Sequence, residues 1–225
     1  MRTRVAVLVA ALVLALSTAA MSRAIAGGES RCEQFGADST ARAGLVTGAG
    51  DRVVVIGDSW SAGLGLAQPV RSWPSRLPGR VHVAGFSGSG FSASASPCGP
   101  VSFADRAGAV VAGADLVVVE GGLNDWDHSD AEIRAGFARL VEVLRAAGVP
   151  RVVVVGPASA PSRAARIPHV DALLAELSDQ HGVGYVTTTD LDLSYLDDDL
   201  HLTYAGHAEF GDAVADRIAG LAQPS

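Results

Sequence analysis

Five short apolar runs punctuate the chain: RVVVI at 52–56, VHVAG at 81–85, LVVVE at 116–120, RVVVVG at 151–156 and GYV at 184–186. Runs this short, rich in Val and closed by Gly or a polar turn, are the pattern of strands buried on both faces. Helical spacing fills the intervals. The clearest case has Ile133, Phe137, Leu140, Val141 and Leu144 on one stripe, with Ser129 or Asp130 as the opening cap and Gly148 and Pro150 as the stop. Further helical pieces are expected at 72–77, at 105–112, in a segment ending near Gln180, and from Thr203 to Leu221. Strands alternating with helices call for a parallel sheet covered on both faces. The expected fold is a three-layer α/β/α sandwich with a five-stranded parallel sheet in flavodoxin-like order 2-1-3-4-5. No internal repeat is visible, and no linker after residue 50 divides the domain 51–225.

The chain begins with Arg2 and Arg4 before an apolar run from Val5 to about Ala20, and Ala24, Ile25 and Ala26 form an A-x-A site. Residues 1–26 read as an export signal, with a retained membrane anchor as the alternative. Residues 27–50, rich in Gly, Ser, Thr and Ala, read as an extended N-terminal arm. Export decides how the two cysteines are read. In an oxidising compartment Cys32 and Cys98 form one disulfide, closing a loop that contributes about 4 kcal/mol in the chain-entropy model; two free buried thiols are the alternative.

All 17 basic residues are Arg, and the formal charge is −7. Cleavage after Ala26 removes three Arg and leaves 14 basic against 24 acidic residues, a charge of −10. With no basic stripe, nucleic acid is not an expected partner. No Cys or His cluster has ligand spacing, so no metal is expected. Gly88, Gly90 and Ala93 spell a dinucleotide fingerprint. The loop runs into Ser, Pro97 and Gly99 instead of a helix, however, and no acid ends a following strand. No cofactor is expected.

Chemistry concentrates at the carboxyl ends of the strands, where open α/β sheets hold their ligands. Gly57 allows a tight turn that presents Ser59, either as a nucleophile or as a capping serine of the next helix. The third strand ends in GGLNDWD, bringing Asn124 to the same edge. Before the last helix, Asp198 stands three residues ahead of His201, close enough to hold Nδ1 and leave Nε2 free to take a serine proton; a solvated acidic turn is the other reading. Ser59 N–H, Gly88 N–H and the Asn124 amide could together face a developing oxyanion.

Those segments carry a resemblance. GDSW at 57–60, the Gly of FSGSG at 88, GGLND at 121–125, and DDLH at 198–201 followed by Thr203 and Gly206 resemble, in order, the four blocks of the SGNH hydrolases, the GDSL esterase and lipase family. The resemblance implies Ser59 as nucleophile, His201 as base, Asp198 as its orienting acid, and Ser59, Gly88 and Asn124 as the oxyanion hole. Trp60 stands where Leu is usual, Val83 where Asn is frequent, and Leu202 where Pro often follows the His. An ordinary α/β-hydrolase fits less well, since its elbow needs a Gly at position 61, which is Ser.

The implied activity is hydrolysis of carboxylic esters through an acyl-enzyme, by an extracytoplasmic monomer without cofactor. Short connections favour short-acyl or acetyl esters; small-molecule, glycan and lipid esters all remain open. Trp60, Leu123 and Trp126 either form an apolar or sugar-stacking wall or fill gaps between helix and sheet. The alternative from another class is a non-catalytic carbohydrate- or lipid-binding module on the same scaffold.

Overall fold

A computed structural model describes residues 30–221. The export segment expected at 1–26 lies outside them. The described residues fall into two units, divided between Ala37 and Asp38. Residues 30–43 are helical (α1), so the expected extended arm is corrected over that stretch. The reason is compositional. SRCEQFGADSTARA contains no Pro, a single Gly and several strong helix formers, and the Gly-rich portion starts only at Gly44. Thr47 beyond it pairs antiparallel with Val81. Both cysteines, Cys32 and Cys98, are disulfide-bonded.

The larger unit contains strands β1 (Arg52–Gly57), β2 (Arg80–Gly85), β3 (Leu116–Glu120), β4 (Val152–Val155) and β5 (Gly184–Val186). They form one parallel sheet in the order β2-β1-β3-β4-β5, as the sequence led one to expect. Alternation along each strand sends neighbouring side chains to opposite faces. Val53, Val55, Val118 and Val153 pack on one side with Trp60, Trp73, Phe210 and Val214. Val54, Ile56, Val117, Val119 and Val154 pack on the other with Phe103, Phe137, Leu140 and Leu174. Because both faces are covered, the strands read as continuous apolar runs instead of alternating ones.

Helices α2 (Ser59–Ala62), α3 (Phe103–Val110), α4 (Asp130–Ala146), α5 (Ile167–His181) and α6 (Tyr204–Leu221) complete the unit. Helix α3 starts two residues before its expected position because Ser102 and Asp105 form a capping box, and α4 opens on another between Ser129 and Glu132. The 72–77 segment is a 3-10 turn, Trp73–Arg76, packed on α6.

That contact contains a buried histidine. His207 of α6 is 1% exposed, and its Nδ1 accepts the backbone N–H of Trp73 at 3.3 Å. Burial, reinforced by the proximity of His201, pushes its pKa down to about 4. In the unfolded chain the ring titrates near its ordinary 6.5. The neutral ring therefore favours the fold fully above pH 6.5, and this contribution is lost as pH falls from 6.5 toward 4, to the extent of about 3 kcal/mol. Urea titrations at pH 7, 5.5 and 4 are expected to show this loss in the wild type and a correspondingly flatter slope in His207→Gln. Identical slopes would remove the assignment.

The register aligns Gly57 with Gly85 and Glu120 with Val155, so the segments after β1, β2 and β3 leave the sheet at one edge. That edge carries the site.

Candidate active site

Ser59 opens α2 directly after β1. Gly57 is required here for space: a Cβ would lie 2.0 Å from Ser61 Oγ and 2.8 Å from Glu120 Oε2. Asp58 caps the short helix, its Oδ1 accepting Trp60 N–H at 2.9 Å, and Gly63 closes it at φ +81°. The turn is pinned from beneath. Ser61 Oγ bonds Glu120 Oε2 at 2.7 Å and accepts Trp73 Nε1–H at 3.1 Å. Ser59 is left 7% exposed at the sheet edge.

The second half of the site is the turn before α6. Tyr195 and Leu202 pair antiparallel, Leu196 N–H donates to His201 O at 2.7 Å, and Asp199 takes a positive φ of 54° to close the loop. Asp198 Oδ1 accepts Leu200 N–H at 3.0 Å and His201 N–H at 2.9 Å. The carboxylate is thereby fixed by its own backbone, as an Asx turn allows. Its other oxygen meets His201 Nδ1 at 2.5 Å, and His201 Nε2 lies 3.1 Å from Ser59 Oγ. Desolvation would raise the Asp198 pKa, but the His201 ring and the two backbone N–H groups hold it below the ordinary value. Nδ1 therefore carries the proton shared with an anion, and Nε2 is free to receive one from the serine.

Asn124 links the segments that carry the other two expected oxyanion donors, Ser59 and Gly88. Gly88 adopts φ +82° in a turn closed by Ser89 N–H on Phe86 O at 3.1 Å, the conformation demanded at that position of a type II turn. Among the described residues, the backbone N–H groups of Ser59 and Gly88 donate to no protein acceptor. The Asn124 amide lies between their neighbours, donating to Ser89 O at 3.0 Å and to Asp58 Oδ2 at 3.2 Å.

Several supporting residues escaped the sequence reading. Asp125, wholly buried, accepts Phe91 N–H at 3.0 Å and Ser92 N–H at 2.7 Å, tying the small-residue loop to β3. Gly90 leaves room for that carboxylate, since a Cβ there would sit 2.5 Å from Asp125 Oδ2. The G-x-G-x-x-A resemblance thus reflects a packing need. Arg106 of α3 reaches the same edge, donating to Gly57 O at 3.0 Å, to Ser89 Oγ at 2.9 Å and to Ala84 O. Burial raises the pKa of Asp58 and of Asp125 to about 6 and that of Glu120 well above its usual value. No local motif announces these contacts.

Two of the expected substrate-wall residues are corrected. Trp60 is 1% exposed, with Phe210 at 5.2 Å and its Nε1–H donating to Leu200 O at 3.0 Å, so it ties the Ser59 turn to the His201 loop. Leu123 is also buried, within the core on the α6 side. Both point into the gap between sheet and helix because only there do they lose their apolar surface to protein. Trp126 is partly exposed, beneath the guanidinium of Arg163. Among the described residues no cluster of three His, Cys, Asp or Glu has the arrangement of a metal site.

Fold and sequence together place the chain among the carboxylic ester hydrolases. It belongs to the GDSL-like lipase/acylhydrolase family, whose model matches residues 55–209. No curated protein matches it by sequence. Among solved structures it is similar to Est24, a carbohydrate acetylesterase from Sinorhizobium meliloti, with TM-score 0.62 and 22% identity over 76% of this chain and 100% of that one. An aryl esterase of M. smegmatis, solved with an inhibitor, gives TM-score 0.65 at 18% identity, again over 76% and 100%. TesA gives 0.63 at 23% identity over 76% and 99%.

Proposed function

We propose that the protein is an exported serine esterase that cleaves short-acyl or acetyl esters through an acyl-enzyme on Ser59. The observation that carries this is the chain of contacts from Asp198 through His201 to Ser59 Oγ, 2.5 Å and 3.1 Å long. As Oγ attacks the ester carbonyl, His201 Nε2 takes its proton, and Asp198 stabilises the imidazolium without itself being protonated. The free N–H groups of Ser59 and Gly88 receive the oxyanion, and Asn124 contributes the hydrogen it shares with Asp58, the longer of its two bonds. His201 returns the proton to the departing alcohol, and water then deacylates the serine by the same route.

Short acyl groups are favoured because the two longest stretches near the site without a strand or helix are both held down and so unsuited to act as a lid: residues 86–102 by Asp125, and residues 187–203 by the bonds of Thr188 to Gly156 O, Trp60 to Leu200 O and Arg217 to Asp190. The names of an acetylesterase and an aryl esterase among the similar structures agree with small esters. Export is supported by the N-terminal sequence and by the disulfide; no described helix is long and apolar enough to cross a membrane. Monomeric function is supported by exposed large apolar side chains that are few: Leu45, Val46 and Leu221 among the described residues.

Release of p-nitrophenol from acetate, butyrate, octanoate and palmitate esters tests the reading. The expected result is a kcat/KM highest for acetate or butyrate and declining with chain length. A maximum at palmitate would overturn the short-acyl assignment. Inertness on all four esters and on acetylated sugars would overturn catalysis and leave a binding module as the better account.

A further inference from the structure

The connection between β4 and α5, residues 156–166, carries two arginines, Arg163 and Arg166, and no acid. It leans on both halves of the site. Ser162 N–H donates to the carbonyl of Asp199, next to Asp198, at 3.0 Å. Arg163 Nη1 donates to the carbonyl of Leu123, next to Asn124, at 2.8 Å. Asp127, three residues beyond Asn124, and Asp58, which precedes Ser59, both lie close enough to act on the Arg163 charge. Through Ser162 and Arg163 the loop thus bonds the backbone next to both Asp198 and Asn124.

Arg76, Arg134, Arg139 and Arg217 each close an ion pair with an acid; Arg163, like the other described arginines, closes none. It is partly buried and lies over the Trp126 ring, 4.8 Å from its centroid, while Arg166 Nε–H donates to the Trp126 carbonyl at 3.1 Å. Burial carries a desolvation penalty for the Arg163 charge that Asp127, Asp58 and the indole face offset only in part. A planar guanidinium over a ring, with donors to spare, is suited to bidentate binding of an anion.

We infer that Arg163, held on Trp126, is a specificity element that binds an anionic group, carboxylate or phosphate, on the ester substrate. This rests on the esterase reading above. Because the acyl part there is short, the anion belongs to the alcohol, as in an O-acetylated sugar acid or sugar phosphate. Arg166 adds positive charge at the same rim, in a protein whose overall charge would otherwise repel such a substrate.

Three matched esters test this: an acetylated methyl glucoside, the corresponding acetylated methyl glucuronide, and acetylated glucose 6-phosphate. For the wild type, kcat/KM on at least one anionic ester is expected to exceed that on the neutral one by about tenfold, mostly through KM, with the gap narrowing as salt rises. The glucuronide and phosphate arms separate the two anions. In Arg163→Met the ratio of anionic to neutral kcat/KM falls toward one, and Arg163→Lys keeps part of it. A wild-type ratio near one, or a preference that survives Arg163→Met, overturns the inference while leaving the esterase reading intact. Turnover of none of the three esters overturns both. If Arg163→Met does not fold, inhibition of the wild type decides: free methyl glucuronide or glucose 6-phosphate must compete better than methyl glucoside, and equal inhibition refutes the assignment.

Discussion

Ser59→Ala is expected to lower kcat by about 10^5 to 10^6 on any ester the protein cleaves, with His201→Ala comparably slow and the double variant no slower than either. The non-additivity follows from the geometry. In the proposed mechanism His201 Nε2 has one task, receiving the proton of the Ser59 hydroxyl 3.1 Å away, and Ser59 Oγ is activated only through that contact. Removing either leaves the other without function, so the second loss adds little. What persists is the stabilisation supplied by the N–H groups of Ser59 and Gly88 and by Asn124. The measurement is kcat on p-nitrophenyl acetate for wild type, both single variants and the double variant. Additive losses would mean that serine and histidine act separately, and an active Ser59→Ala would displace Ser59 as nucleophile.

Asp198→Asn should be worse than Asp198→Ala. One carboxylate oxygen already accepts the N–H groups of Leu200 and His201, so the amide oxygen of Asn takes that place. Its NH2 must then face His201 Nδ1, where the carboxylate oxygen now lies at 2.5 Å. A donor at that point requires an unprotonated Nδ1, which puts the ring proton on Nε2, pointing at Ser59. The base is lost as a tautomer even though its position is kept, and kcat is expected to fall by about 10^4. In Asp198→Ala, water can accept the Nδ1 proton beside this half-exposed site, and a loss of about 10^2 is expected. Pre-steady-state acylation rates on both variants check the order. Asn equal to or faster than Ala would show that Asp198 acts through its charge instead of through the tautomer.

Much of this site was legible before any coordinates. The short Val-rich strands declared a sheet covered on both faces, and the turn residues after them placed Ser59, Gly88 and Asn124 at one edge. Asp198 and His201 could be paired because the three-residue spacing is local chemistry, fixed by a turn of the backbone on itself. Expectations failed where a side chain had two environments open to it. Trp60 beside a nucleophile could face substrate or core, and its indole N–H settles the matter by reaching Leu200, 140 residues away. The small-residue composition of 27–50 masked α1, since Ala, Ser and Thr fill loops and helices alike.

The sequence by itself determined the short buried strands alternating with helices and the acidic, lysine-free composition, which depend on periodicity and composition, while the candidate catalytic residues followed from the family resemblance of their motifs. Only the tertiary structure decided that Trp60 and Leu123 are core, that Asp125 and Arg106 clamp the small-residue loop, and that Arg163 lies over Trp126 beside the cleft. Burial and pairing of those groups depend on what the fold brings across the sheet edge from distant segments, and a buried charge or N–H takes whichever partner arrives there.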